Sequence, residues 1–144
     1  MQKADLESML SRVEAATGPD SELDALLWLM TTDGATRKSS LVKSSTGAWP
    51  DYTIDETRDK TGRLITVPPF TSSIDAAVAL VERLLPGIGL TITNQPEPTA
   101  WIFSECDEYE DGDFMVRVIV KETGETMPLA ILAALLRVLI SEAK

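Results

Sequence analysis

The densest run of chemistry-bearing side chains is Glu105-Cys106-Asp107-Glu108-Tyr109-Glu110-Asp111-Gly112-Asp113, six acids in nine residues. Carboxylates this close can share a divalent cation, and without one they repel each other. The calcium-loop pattern D-x-[DN]-x-[DN]-G-x5-E, started at Asp107, finds Asp111 and Gly112 in place. Tyr109 occupies a ligand position, however, and Val118 stands where the bidentate glutamate belongs. The run is not that loop, and no dedicated metal site is expected. Three readings remain: a solvated hairpin kept extended by repulsion, a weak divalent site, and a docking loop for a basic surface. In the last, Glu105, Asp107, Glu108, Glu110, Asp111 and Asp113 are the contact residues.

Other chemistry is sparse. The chain has no histidine, which removes Ser-His-Asp and Cys-His nucleophile systems, histidine-ligated zinc and the commonest general base near neutral pH. One cysteine makes neither a thiolate metal cage nor an internal disulfide, and Glu105 and Asp107 beside Cys106 disfavour its thiolate. Gly34-Ala35-Thr36-Arg37-Lys38-Ser39 resembles a phosphate loop only faintly, lacking the second glycine and a preceding apolar strand. Catalysis by carboxylates alone stays open because acids are plentiful. The expectation is a non-enzymatic chain with no cofactor and no catalytic residue. Arg37, Lys38 and Lys43, with nearby serines, are the candidates for holding a small anionic ligand. Trp28 and Trp101 sit in periodic segments that suggest the core, whereas Trp49, before Pro50, is the candidate for an exposed aromatic anchor.

These side chains are held in a chain of 144 residues, the size of one compact unit, with 44% hydrophobic residues to build a core. The net charge of −10 disfavours nucleic acid and anionic lipid, whose affinity comes from Lys and Arg neutralising phosphates. It suits a basic protein partner, or simply solubility. No apolar run approaches the ~20 residues of a membrane span. The longest, Met127 to Ile140, is interrupted by Pro128 and Arg137. The start, MQKADLESML, lacks the basic and apolar blocks of a signal peptide, so a cytoplasmic location is expected.

Spacing then supplies the elements. Leu6, Met9, Leu10 and Val13 predict a helix over 3–16, and Gly18-Pro19-Asp20 stops it and starts a second carrying Leu23, Leu26, Leu27 and Met30. Residues 31–66 have little periodicity and predict an ordered loop or a short hairpin, with strands near 40–44 and 51–56 turning at Gly47. Thr71-Ser72-Ser73 offers caps to a helix with Ile74, Ala77, Val78, Val81, Leu84 and Leu85 on one face. Leu90–Thr93, Ala100–Phe103 and Phe114–Val120 read as strands, and 127–142 as a last helix with Pro128 in its first turn. The fold class is therefore α+β: an antiparallel sheet of three strands, or slightly more, packed against helices, with an N-terminal helical hairpin. The expected organisation is a helical hairpin over 1–30, an irregular or short-strand insertion over 31–66 and an αβββα unit over 67–144. The last helix is apolar nearly all round, which predicts burial between sheet and helical hairpin or, alternatively, a contact with a second copy.

Three segments resemble a family. Ala15-Ala16-Thr17-Gly18-Pro19-Asp20-Ser21-Glu22-Leu23-Asp24-Ala25 is similar to the opening of small phage and prophage proteins with a helix–sheet–helix (ABA) sandwich-like domain. Phe70-Thr71-Ser72-Ser73-Ile74-Asp75-Ala76-Ala77 and Thr126-Met127-Pro128-Leu129-Ala130-Ile131 resemble two further signatures of that group. The resemblance implies a phage origin and a sandwich fold, and it carries over no catalytic residue. The helix–strands–helix order also looks like that of double-stranded RNA-binding domains, but Lys121-Glu122-Thr123-Gly124-Glu125 places acids where those domains need cations. RNA binding is therefore not expected.

Two functions of different class follow as expectations. The first is a phage accessory protein docking on a macromolecular partner, such as an acidic inhibitor of a host defence complex of the anti-CRISPR kind. The second is a protein that sequesters a small molecule or nucleotide signal. A structural phage protein or a homodimer through the last helix is a third.

Overall fold

The computed structural model describes residues 2–108 and 114–143, and side chains outside 104–118. Its elements in chain order are α1 (Lys3–Ala15), α2 (Ser21–Thr31), β1 (Thr36–Val42), β2 (Tyr52–Arg58) and α3 (Ile74–Leu84). They continue with β3 (Gly89–Thr93), β4 (Thr99–Glu108), β5 (Phe114–Thr123) and α4 (Met127–Glu142). The class is α+β, with an antiparallel sheet β3-β4-β5 and a separate antiparallel hairpin β1-β2.

The helices start where side chains satisfy free backbone N–H groups. Asp20 Oδ1 accepts from Glu22 N at 3.1 Å and Leu23 N at 3.0 Å, opening α2. Of the three capping hydroxyls expected before α3, Ser73 does the work, its Oγ accepting from Ala76 N at 3.1 Å. Thr71 serves elsewhere: its N–H donates to Asp24 Oδ1 at 2.7 Å, and its Oγ1 accepts from Asp20 N at 2.8 Å. These bonds clip the start of α2 to the segment before α3.

The centre of the molecule is α4. Leu129–Leu136 and Val138 are each exposed by 1% or less, and α1, α3, β4 and β5 all lie against this helix. The helical hairpin does bring its seam to the main body: Leu6, Met9, Leu10 and Val13 of α1 join the same core as Leu23 and Leu27 of α2. Burying a leucine side chain contributes about 2 kcal/mol, so a helix apolar all round is stable only when walled on every side. The apolar circumference offered to a second copy in the alternative reading is thus covered by the chain itself.

Ala100 and Ile102 of β4 face this core at 0% exposure, while Thr91, Ile119 and Lys121 on the neighbouring strands are exposed. The helices therefore stack on one face of the sheet, a different layering from the helix–sheet–helix sandwich implied by the resemblance. Trp101 is on the open face, half-buried under the Lys121 ammonium at 5.5 Å from the ring centroid, not in the core as its periodic segment suggested. Ile74, expected on the buried stripe of α3, is 42% exposed. At Gly89 the Phe103 ring across the ladder takes the space a side chain needs: a Cβ there would sit 2.2 Å from it.

Candidate functional site

Two surfaces draw attention, the β1–β2 hairpin and a cleft at its base. The hairpin begins four residues before the strand that spacing suggested, because Thr36-Arg37-Lys38-Ser39-Ser40 has no apolar alternation to announce a strand. Its register pairs Val42 with Tyr52, Ser40 with Ile54 and Lys38 with Glu56 on one face. Leu41 with Thr53, Ser39 with Asp55 and Arg37 with Thr57 share the other. None of these residues belongs to the core cluster. Leu41 at 59%, Tyr52 at 48% and Ile54 at 40% exposure present apolar surface, and Trp49, in the connection between the strands, is 52% exposed. Gly47 in that connection has φ +72°, a left-handed turn that glycine adopts without strain.

The hairpin's polar contacts are local. Asp55 accepts from the Ser39 hydroxyl and from Arg37 Nη2 at 3.1 Å, and these partners, Ser39 foremost, hold its carboxyl below the usual range. Arg37 is therefore engaged within the hairpin. Lys38, its neighbour in the strand, faces the opposite side, and Lys43 lies beyond the end of β1, both exposed. The three cations nominated for a small ligand do not converge on one cavity. Glu105, Asp107 and Glu108 lie in β4, where their backbone alone is described; Glu110, Asp111 and Asp113 fall outside the described residues.

The cleft lies where the C-terminus of α2, the turn after β2 and α3 meet, and encloses about 520 Å³. Trp28, Thr31, Thr32, Asp33, Asp59, Lys60, Thr61, Ile65 and Arg83 form its walls. Arg83 Nη1 donates to Thr31 O at 2.7 Å and Nη2 to Thr31 Oγ1 at 3.0 Å, neutralising the carbonyl end of α2. Its guanidinium lies 5.8 Å from the centroid of the Trp28 indole. Asp59 Oδ1 accepts from Thr61 Oγ1 and from the N–H groups of Thr61 and Arg63, and these bonds, that of the Thr61 hydroxyl first, hold the carboxyl below its usual range. Sequence reasoning missed this site, since positions 28–33, 59–65 and 83 share no local pattern.

A second cleft, of about 420 Å³, gathers Glu14, Glu97, Glu122 and Glu125 near the edge of the sheet. Arg137 bridges two of them, Nε donating to Glu122 at 2.9 Å and Nη2 to Glu14 at 3.0 Å. Among the described residues no group of His, Cys, Asp and Glu is placed to hold a metal ion, and no helix is long and apolar enough to cross a membrane. No family model, no curated protein and no solved structure matches the chain. What stands is the class: a small α+β protein with four helices, a three-stranded antiparallel sheet and a two-stranded hairpin.

Proposed function

We propose that this protein is a non-catalytic docking module that binds another protein through the β1–β2 hairpin. The observation that carries this reading is the exposed apolar surface of Trp49, Tyr52 and Ile54, with Leu41 on the opposite face, on a hairpin none of whose apolar residues joins the core. Exposed apolar groups are ordinary singly; several together on one projecting element favour a partner that removes them from water. Tryptophan and tyrosine are also the side chains that most often anchor an interface.

Charge supports a basic partner. Residues 31–66 hold six bases and five acids, so 18 of the 23 acids lie on the rest of the chain, including the Glu14–Glu97–Glu122–Glu125 cleft. Such a field accelerates encounter with a positively charged protein, while the hairpin supplies the anchor. The resemblance to small phage proteins suggests the setting: a phage-encoded accessory protein in the host cytoplasm, inhibiting a defence complex at its basic nucleic-acid-binding surface.

The test compares capture of host proteins, after nuclease treatment, by the tagged wild type and by Trp49→Ala. A stoichiometric basic protein retained by the wild type, with affinity about 30-fold lower for Trp49→Ala, is expected from an interface anchor. Equal capture by both, with unchanged melting temperatures, overturns the role of the hairpin.

A further inference from the structure

The cleft at the base of the hairpin has more hydrogen-bond donors than its own acceptors engage. Arg83 uses two of its five N–H groups on Thr31, and Lys60 has no hydrogen bond or ion pair among the described residues. Trp28 Nε1 and Thr32 Oγ1 are shut off from solvent and have no hydrogen-bond partner. Two of the four buried side-chain polar atoms without a partner, among the described residues, thus belong to the walls of one cleft. A buried donor left unpaired costs about 1–3 kcal/mol, so two in one place point to something that pairs with them.

The cleft's own acceptors are directed elsewhere. Asp59 Oδ1 is engaged by its own turn while its Oδ2 makes no hydrogen bond among the described residues. Thr31 Oγ1 already accepts from Arg83 and donates to Leu27 O at 2.7 Å, and Asp33 is exposed at the rim. Neither aspartate is ion-paired with Arg83 or Lys60. Guanidinium and ammonium groups in a water-accessible cleft, beside hydroxyls and an indole N–H, recognise an acceptor carrying negative charge. The volume of about 520 Å³ is that of a small-molecule site.

We propose that this cleft binds a small molecule through an oxyanion, carboxylate or phosphate, held by Arg83 and Lys60. Trp28 and Thr32, which carry the two unpartnered polar atoms, form part of the same wall, and the N–H groups of Arg83 not used on Thr31 meet the anion. The site shares no residue with the apolar hairpin surface, so it stands or falls independently of the docking function.

The three tryptophans allow a direct test. The indole N–H resonances of Trp28, Trp49 and Trp101 are followed by NMR as sodium phosphate, or separately sodium acetate, replaces sodium chloride at constant ionic strength. A saturable shift confined to Trp28 is expected. A response to phosphate and not acetate assigns a phosphate ligand, and the reverse a carboxylate. Arg83→Gln abolishes the shift. Because Arg83 also caps α2, Lys60→Gln is the second variant: it keeps that cap and weakens binding by about 2- to 5-fold, the worth of an exposed charge pair. Asp33→Asn, which removes an opposing charge, tightens binding by a similar factor. A Trp28 resonance that moves no further than in chloride, or in step with Trp49 and Trp101, overturns the proposal, as does Lys60→Gln with an unchanged titration.

Discussion

Asp24 shows how a single residue carries both a structural bond and a charge cost. It is 8% exposed, accepts the Thr71 N–H and lies near Asp20; burial, outweighing the bonds from Thr71, raises its pKa above the ordinary carboxylate value. A carboxyl whose folded pKa exceeds its unfolded one favours the folded state when protonated. That stability is fully present below the unfolded pKa and is lost as pH rises through the folded pKa. Asp24→Asn keeps an acceptor for Thr71 and removes the charge. Its stability relative to the wild type should therefore be greater at pH 7 than at pH 3.5, as urea titrations at the two values will show. Asp24→Ala leaves the Thr71 N–H without an acceptor and should cost about 1–3 kcal/mol at pH 3.5, and less at pH 7, where the wild type also carries the cost of the buried charge. Neither the Asp24–Thr71 pair nor the charge on Asp24 was legible in the sequence. An aspartate in the first turn of a helix reads as a favourable dipole contact, and only the approach of residue 71 from 47 positions away buries it.

Between elements the contrast is largest for α4 and the β1–β2 hairpin. The former is surrounded by two helices and two strands; the latter pairs with no other strand of the sheet and is tied down at its base, where Ile65 N donates to Thr57 O at 3.0 Å. A two-stranded hairpin by itself is marginal in water. Leu132→Ala in α4 should cost about 2–5 kcal/mol by chemical denaturation, because its neighbours cannot collapse around the cavity. Amide exchange should divide the chain the same way. Amides of β1 and β2 should exchange through local opening, whereas those of α4 should exchange only on global unfolding; equal protection would show the hairpin to be part of the cooperative unit. The helices were readable because a buried stripe recurs every three or four residues and Asp20 and Ser73 cap it. The early turns of the hairpin were not, since a strand exposed on both faces needs no alternation.

For the whole molecule, the charge distribution sets what can approach. With 18 acids outside residues 31–66, association with a basic partner should slow as salt rises from 50 to 300 mM, while dissociation, governed by the hairpin anchor, changes little. Surface plasmon resonance separates the two rates, and an association rate indifferent to salt removes the electrostatic part of the docking function. The acidic cleft belongs to this scale as well, since Glu14, Glu97, Glu122 and Glu125 come from four separate places in the chain.

By itself the sequence determined the class and the order of the helices and the three-stranded sheet, because helical periodicity, end caps and short antiparallel connections are local properties of the chain; it left residues 31–66 open between a loop and a short hairpin. It also removed histidine-based chemistry, and with a single cysteine any thiolate metal cage or internal disulfide, since a missing side chain is missing in any fold. Tertiary structure alone decided which faces are covered. The same apolar pattern that placed Trp101 on a strand could not say which side of the sheet α4 would occupy, and nothing local predicts that Trp28, Lys60 and Arg83 line one cleft. Periodicity distinguishes the two faces of an element; only the packing of elements against each other, driven by burial of α4, chooses between them.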